Sequence, residues 1–541
     1  MWGDMRRVLV LGVGLGLVLT VVAPASAATG TATGPSGATY TYATTCATAS
    51  MTANVDMNAA NAFEGLFVED QNGDSRGGHV KDAAGNDITA TRTNWKASVY
   101  FGSDTSTDLS LFEIGATVDT KVAGPVTLST CPDYSTTPGS YFTPLTPKRV
   151  LDTRPTSAVS YTGAKPAARA RVNVTLAGQF GVPADAVAVA LNVTATEATL
   201  PGYVQVFPTN RAIAGGSSNL NASTTGQTIA NSVIVPLGDG GAVTFFTQTG
   251  AHLLADVAGY FTSTTVDVAA GRYKTVAPVR VLDTRPASPK GYTGAKPAAK
   301  GRVIANVAGA AGLPALADVA AVVLNVTATE ATGPGFVQVA AAGALTPGAS
   351  SSLNVERANE TIPNLVIVPV SAAGQVELYT QGGTHLLVDV LGWFTNPSVP
   401  VGRDGLFVPM NPERVLDTRA GSAVNFFASL RLGVDQQKPA AAATVAILFH
   451  GLPAIAGPVV LNLTATDATA PGFVQAAAHG TLVAGASSNL NLEKAGQTIP
   501  NAAIVTTDST LYGVDVYTQT GTHVIADIAG YFTDPARLPP A

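Results

Sequence analysis

Fourteen polar residues that could contact a ligand fall into three groups along the 541-residue chain. Asn and Gln side chains donate and accept hydrogen bonds as sugar hydroxyls do, and Arg, His and Asp add charge. The candidate ligand-binding residues are Arg154, Asn192, Gln205, Asn221, His252, Asp256, Asn325, Gln338, His385, Asp389, Asn462, Gln475, His523 and Asp527. A structural interpretation is also open, in which Asp and Arg pair to fix neighbouring strands and Asn side chains satisfy backbone groups at bends.

Catalysis by acids is not expected from this pattern. A glycosidase needs two carboxylates that face one cleft. The acids kept in all three groups are Glu197, Glu330 and Asp467, and the only obvious acidic partner of each is far away in sequence. We therefore predict that the chain is not an enzyme of this kind.

A hydrolase triad could be drawn from Ser218, His252 and Asp256, but the nucleophile-elbow pattern is absent. His252 and Asp256 are four residues apart on one predicted strand, which separates them by about 13 Å. That distance opposes both a triad and a shared metal ion within one copy. We predict no catalytic residues here.

One loop resembles a calcium-binding loop at its start. Asp70, Asn72 and Asp74 offer oxygen ligands at positions 1, 3 and 5 of an EF-hand-type loop. However, Ser75 stands where the loop requires Gly, and Lys81 stands where it requires an acid. A solvated Asn-Gly hairpin explains the residues better, so we predict no metal and no cofactor.

Aromatic side chains could provide stacking platforms for sugars, or could belong to the core. Each copy has one aromatic after a Pro-Gly step and one beside a Gly near its end. These residues are Tyr203, Phe336, Phe473, Tyr260, Trp393 and Tyr531.

The candidate residues lie in one stretch of sequence that is written three times. Its opening motif, Arg-Val-Leu-Asp-Thr-Arg, spans Arg149–Arg154, Arg280–Arg285 and Arg414–Arg419, and its closing motif spans His252–Phe261, His385–Phe394 and His523–Phe532. A period of roughly 130 residues matches a whole domain better than a solenoid repeat. We predict three tandem domains, repeat 1 (141–262), repeat 2 (273–395) and repeat 3 (407–533), and a tail (534–541). Because the linking segments are short, we expect a semi-rigid rod.

Alternation with a period of two predicts strands within each repeat. In repeat 1 the predicted strands are 186–196, 202–207, 232–237, 242–247 and 252–261. Leu191, Val193 and Ala195 are expected to face the core, and Asn192, Thr194 and Thr196 the opposite side. About eight short strands per repeat favour an all-β sandwich of the immunoglobulin or jelly-roll kind, with a small closed barrel as the alternative.

The segment before the repeats, residues 28–138, also alternates strand-like runs with turns and predicts a small antiparallel sandwich. Its predicted strands include 41–45, 65–68, 95–101 and 126–130. Cys46 and Cys131 are the only cysteines and lie near its two ends, so we predict one disulfide. Closing about 85 residues would contribute roughly 4 to 5 kcal/mol.

Residues 1–27 predict a secretory signal peptide. Arg6 and Arg7 precede an apolar core, and Ala25-Ser26-Ala27 supplies a small-residue cleavage site. A transmembrane anchor is the alternative, but the apolar run is short for a membrane span. We expect an extracellular protein, either free or loosely attached to the cell wall.

Composition limits the partners. Charged residues are 12% and apolar residues 46% of the chain, and the net charge is -6 with no basic run. Nucleic acid is therefore not expected as a partner. Insertion of the mature chain into a membrane is not expected either, because no segment after residue 27 is long and apolar enough to span one. The partners that remain are cell-wall or environmental polysaccharide and surface proteins.

The repeated motifs resemble a β-rich repeat of secreted actinobacterial proteins. The resemblance covers about 141–533 and rests on the opening motif, the Leu-Asn-(Val/Leu)-Thr-Ala-Thr strand and the closing Gly-(Tyr/Trp)-Phe. It implies an extracellular accessory module with an undefined ligand, and it carries over no catalytic residues. We expect a non-enzymatic structural, matrix or adhesive array, acting through multivalent contacts. The alternative is a carbohydrate-binding protein with one glycan site per repeat.

Overall fold

The computed structural model describes residues 139–534, except 212–214, 310–311, 420–436, 450–451, 454 and 509–511, and the backbone of eight earlier strands. The predicted signal peptide, both cysteines, residues 70–74 of the calcium-like loop and residues 535–541 lie outside the described residues, and Ser75 of that loop begins a strand. The described chain is predominantly strand, which confirms the predicted all-β class.

The eight early strands form two antiparallel four-stranded sheets, with orders β1-β2-β3-β6 and β5-β4-β7-β8. The strands are β1 (Thr29–Thr33), β2 (Thr39–Thr45), β3 (Ser50–Asp56), β4 (Gly65–Glu69), β5 (Ser75–His79), β6 (Trp95–Tyr100), β7 (Asp108–Ile114) and β8 (Thr120–Thr127). Four of them coincide with or overlap the strands predicted for this segment.

Repeat 1 contains eight strands in two sheets. They are β9 (Gly139–Asp152), β10 (Arg171–Thr175), β11 (Ala186–Thr196), β12 (Gly202–Pro208), β13 (Leu220–Ala222), β14 (Ile229–Pro236), β15 (Ala242–Thr247) and β16 (His252–Thr264), with a short 3-10 helix at Asp239–Gly241. The first sheet has the order β14-β11-β16-β9 and the second β10-β15-β12-β13. This is the connectivity of an eight-stranded jelly roll, and two separate sheets replace the single barrel that was the alternative.

Repeats 2 and 3 have the same connectivity. The strands of repeat 2 are β17 (Tyr273–Asp283), β18 (Gly301–Asn306), β19 (Val319–Thr329), β20 (Gly335–Ala341), β21 (Leu353–Val355), β22 (Ile362–Pro369), β23 (Gln375–Thr380) and β24 (His385–Thr395), with a 3-10 helix at Leu316–Asp318. Those of repeat 3 are β25 (Phe407–Asp417), β26 (Ala443–Leu448), β27 (Ala456–Thr466), β28 (Gly472–Ala478), β29 (Leu490–Leu492), β30 (Ile499–Val505), β31 (Gly513–Thr518) and β32 (His523–Thr533).

The first sheet of each repeat is buried on both faces. On β11, Leu191 and Val193 pack with the second sheet in the core of repeat 1, as the alternation predicted. Ala188 and Ala190, on the opposite face, belong to a separate apolar cluster that draws residues from all three repeats. A strand covered on both sides loses the usual polar face, which explains the nearly continuous apolar run at the start of β11.

Six aromatic rings form the centre of that shared cluster, which we call the central aromatic cluster: Phe142, Phe261, Tyr273, Phe394, Phe407 and Phe532. The ring centroids of Phe142 and Phe394 are 4.3 Å apart, those of Tyr273 and Phe532 4.5 Å, and those of Phe407 and Phe261 4.6 Å. These contacts join repeat 1 to 2, repeat 2 to 3 and repeat 3 to 1.

The repeats therefore close around an approximate threefold axis, and the expected semi-rigid rod is wrong. A rod would expose one apolar face of every first sheet to water, whereas the closed arrangement buries all three faces together. The short links allow this closure because neighbouring repeats start close to each other.

Backbone contacts near the axis repeat the same cyclic order. Phe142 N donates to Gly271 O (2.8 Å), and Tyr273 N donates to Gly405 O (2.7 Å). At the junction without a covalent link, β25 pairs with β9 through Phe407 and Ser140, and the Ser140 hydroxyl donates to Phe407 O (2.6 Å). This pairing joins the first sheets of repeats 1 and 3 into one eight-stranded sheet.

Candidate functional site

The opening motif of each repeat forms an Arg–Asp clamp. In repeat 1 the buried carboxylate of Asp152 accepts hydrogen bonds from Arg149 Nη1 (2.9 Å), from Arg154 Nε (3.0 Å) and Nη2 (2.7 Å), and from the Ser157 hydroxyl (2.9 Å). Burial alone would raise the pKa of Asp152, but the hydrogen bonds from Arg154 outweigh burial and hold it below its usual value. The clamp fixes the turn that follows β9.

The same clamp occurs in the other repeats. Asp283 accepts from Arg285, and Asp417 accepts from Arg419, in each case through Nε and Nη2. In both repeats the pKa of the Asp lies below its usual value, because the Arg hydrogen bonds outweigh burial. Arg154 and its counterparts thus act mainly on their own turns.

Asp256 lies at the boundary between repeats 1 and 2. Its carboxylate accepts from Arg149 Nε (2.6 Å) within repeat 1 and from the backbone N of Ser351 in repeat 2 (3.2 Å). Asp527 makes the corresponding bond from repeat 3 to Ser218 N of repeat 1 (3.0 Å). Burial raises the pKa of both carboxyls, and the Arg partners oppose that rise.

The candidate Asn residues also lie at these boundaries, which we call seams. Asn192 Nδ2 donates to Ser351 O of repeat 2 (2.5 Å), and Asn325 Nδ2 donates to Ser488 O of repeat 3 (3.1 Å). Asn462 Nδ2 completes the cycle by donating to Ser218 O of repeat 1 (2.6 Å). One Asn position therefore serves all three seams.

A second Asn position, which is not among the fourteen candidates, completes each seam. Asn231 Nδ2 donates to Asn462 Oδ1 (2.7 Å), and Asn231 Oδ1 accepts from Ala502 N (2.9 Å). Asn364 and Asn501 make the corresponding bonds at the other seams. Their recurrence in every copy was the available signal, but it did not indicate a partner in another repeat.

The remaining amide candidates lie on the second sheets. Gln205, Gln338 and Gln475 are buried, and each accepts a backbone N–H from the loop that follows its strand. Asn221 lies opposite Tyr203 on the neighbouring strand, and its Oδ1 is buried with no hydrogen-bond partner among the described residues.

The aromatic candidates lie against other side chains. Each aromatic that follows a Pro-Gly step contacts a second ring on the same sheet, with centroid distances of 5.8–5.9 Å. Tyr260 and Trp393 are half-buried against apolar clusters, and Tyr531 is buried. None of the six forms a free platform in the described part of the chain.

His252 lies at the start of β16 and is nearly buried. Its Nδ1 is 3.1 Å from the Thr153 hydroxyl, which also accepts the backbone N–H of Leu253 (2.9 Å). The ring is thereby held with Nε2 facing Glu197 Oε2 at 3.8 Å. His385 and His523 have the corresponding partners, Thr284 and Thr418, and burial lowers the pKa of both histidines.

Four side chains lie close together near the start of β16 in repeat 1, and we call them the tip cluster: Arg154, Lys165, Glu197 and His252. Lys165 Nζ is 3.3 Å from Glu197 Oε2 and donates to the Glu197 carbonyl (2.9 Å). The counterparts are Arg285, Lys296, Glu330 and His385 in repeat 2, and Arg419, Lys438, Asp467 and His523 in repeat 3. The Lys was not among the predicted site residues, although the Lys-Pro pair in each copy could have identified it.

The three residues from which a triad could be drawn have separate partners in the structure. Asp256 is paired with Arg149, His252 contacts Thr153, and Ser218 lies at the seam with repeat 3. Over the described residues, no group of three or more His, Cys, Asp or Glu could hold a metal ion. The same part of the chain contains no helix long and apolar enough to cross a membrane.

Comparisons with known proteins add no functional information. No protein-family model matches the chain, and no curated protein does. One similar solved structure is titled as the atomic structure of Sulfolobus Turreted Icosahedral Virus, with 8% identity, a TM-score of 0.14, and coverage of 73% of this chain and 91% of that one. Another describes the triple jelly roll fold and turret assembly in an archaeal virus, with 9% identity, a TM-score of 0.14, and coverage of 72% and 91%.

Proposed function

We propose that the chain is a non-enzymatic, secreted structural protein whose three repeats form a rigid platform in a matrix or on a cell surface. The observation that carries this proposal is the use made of the repeated polar residues. Asn192, Asn325, Asn462 and the acids Asp256 and Asp527 are bonded across seams. Side chains engaged in this way rigidify the assembly and are not available to a substrate.

The platform would carry the segment 28–138 at the junction of repeats 1 and 3, because this segment precedes β9 in sequence and β9 pairs with β25. Secretion, the predicted Cys46–Cys131 disulfide and the actinobacterial resemblance belong to the same proposal. Its partner is a surface protein or a wall polymer, bound through contacts that the closed ring repeats three times.

The test is retention of the labelled mature chain, residues 28–541, on intact cells of the producing bacterium. Cells stripped with protease and purified walls distinguish a protein partner from a wall polymer. We expect retention on one of these surfaces, with no release of sugars or peptides. The seam variant N192A/N325A/N462A should lose retention, and the exposed variant N173A is the control. Absence of retention on every surface, or turnover of a polymer, would contradict the proposal.

Carbohydrate binding is the second candidate function. The side chains of the candidate Arg154 and of its counterparts Arg285 and Arg419 are 36–44% exposed, and they lie in the tip clusters. The tips, and not the seams, are therefore the expected position of a glycan site.

A further inference from the structure

The tip cluster of repeat 1 combines hydrogen-bond donors and acceptors on an accessible surface. Glu197 is 61% exposed, and Lys165 and Arg154 are 36% and 39% exposed. A shallow depression of about 430 Å³, lined by Ala158 and Ser160–Gly163, lies in the loop that leads to Lys165. Repeat 2 has the same cluster, with Glu330 57% exposed.

The exposed charged side chains of this cluster contribute too little to the stability of the fold to account for their presence. An ion pair between side chains as exposed as Lys165 and Glu197 contributes at most about 1 kcal/mol to folding. Glu197, Glu330 and Asp467 moreover adopt left-handed backbone with φ of 51°, 51° and 53°. Gly would adopt this conformation at lower cost, and so would Asn at the two Glu positions. An acid is nevertheless present in all three copies, which points to a role for the carboxylate outside the fold.

In each repeat, the formal charges of the tip cluster and of the neighbouring Arg–Asp pairs sum to zero. In repeat 1 the cations of Arg149, Arg154 and Lys165 face the carboxylates of Asp152, Asp256 and Glu197. Repeats 2 and 3 also have three of each sign. A balanced cluster does not attract an anionic polymer, whereas adjacent donors and acceptors match hydroxyl groups, which are both.

We propose that each tip cluster binds a neutral glycan, with Glu197 accepting from sugar hydroxyls and Lys165 and Arg154 donating to them. Tyr161, in the same loop, donates to Ala164 O (2.8 Å) and holds the loop beside the cluster. His252 positions Glu197 from below and does not itself contact the sugar. The closed ring holds three such sites in one rigid body, so weak single-site binding becomes strong on a polymer with repeated epitopes.

This site goes beyond the structural role proposed above and can fail independently of it. The test is binding of the mature chain to neutral polymers (insoluble cellulose and chitin, and a soluble arabinogalactan), with polygalacturonate as the anionic polymer. The variant E197Q/E330Q/D467N removes the three carboxylate charges with little change of volume. The control D185N/D318N changes exposed or half-buried acids just before β11 and β19, at the other end of the strands that lead to Glu197 and Glu330.

We expect retention on at least one neutral polymer, an apparent Kd raised at least tenfold in the triple variant, and no change in the control. The thermal midpoint of the triple variant should match that of the wild type, since the changed side chains are exposed. Equal binding by the triple variant, binding to polygalacturonate alone, or no binding to any neutral polymer would overturn the proposal. Retention on cells with no glycan binding would leave only the structural role.

Discussion

The seam between repeats 1 and 3 has no covalent link, so its stability depends on non-covalent contacts. Asn231 is fully buried there and makes three hydrogen bonds: to Asn219 O (2.6 Å), to Asn462 Oδ1 (2.7 Å) and from Ala502 N (2.9 Å). N231A would leave all three partner groups buried without their bonds. A buried unsatisfied group costs about 1–3 kcal/mol, so for three such groups we expect a loss of roughly 3–9 kcal/mol in the free energy of unfolding.

That loss is a large share of the stability of a typical domain, about 5–15 kcal/mol. It is measurable by urea denaturation, followed by hydrogen exchange of β14 and β30, the strands on the two sides of the seam. Faster exchange confined to these strands and their neighbours would show local opening of the ring. N364A makes the matched change at the seam between repeats 1 and 2, which are covalently linked, and Asn364 has the corresponding three bonds there.

The control is N173A, at an exposed position of β10, where the Asn173 side chain accepts one bond from the Thr244 hydroxyl (2.8 Å). It should cost no more than about 1 kcal/mol. If N231A were as mild as N173A, the seam hydrogen bonds would not hold the ring closed. If N231A were severe and N364A mild, the covalent link rather than the amide network would dominate.

Three further predictions concern the axis and the tips. A Cβ at Gly405 would overlap the Tyr273 carbonyl oxygen, whereas a Cβ at Gly226, which is also left-handed, would meet open space. G405A should therefore lower the urea midpoint well below that of G226A, in which only the left-handed backbone of the new Ala costs stability, about 1 kcal/mol. F394A removes a fully buried ring of the central aromatic cluster and should cost about 3–5 kcal/mol by the same assay, with loss of protection near the axis. Burial lowers the pKa of His385 and His523 below 6.5 in the folded protein, so protonation favours the unfolded chain. The thermal midpoint should therefore fall as the pH drops through 6.5. H385Q/H523Q should flatten this pH dependence, and an unchanged slope would exclude these histidines as its source.

Much of the strand pattern followed from local alternation. The strands at 186–196 and 242–247 were predicted with their observed bounds, because each residue of a strand faces one side and the apolar set marks the core. The jelly-roll connectivity was one of two sandwich types left open, since alternation does not say which strands become neighbours.

The roles of the polar residues could not be resolved in the same way. Asn192 and Ser351 are 159 positions apart, and no local pattern pairs them. Alternation placed Asn192 on the face opposite the core, and that face could equally have met water, a ligand or another repeat. The Lys of each tip was missed because it precedes a Pro in a loop, where no periodicity marks its neighbours.

The sequence by itself determined the threefold repetition, the all-β class and the core face of β11, because these depend on spacing along one strand. Only the tertiary structure decided that the repeats form a ring, that the amides bond across seams and that the Lys165–Glu197 pair is exposed at a tip. Those outcomes depend on which surfaces meet, and burial of three apolar sheet faces against each other is a property of the assembled chain.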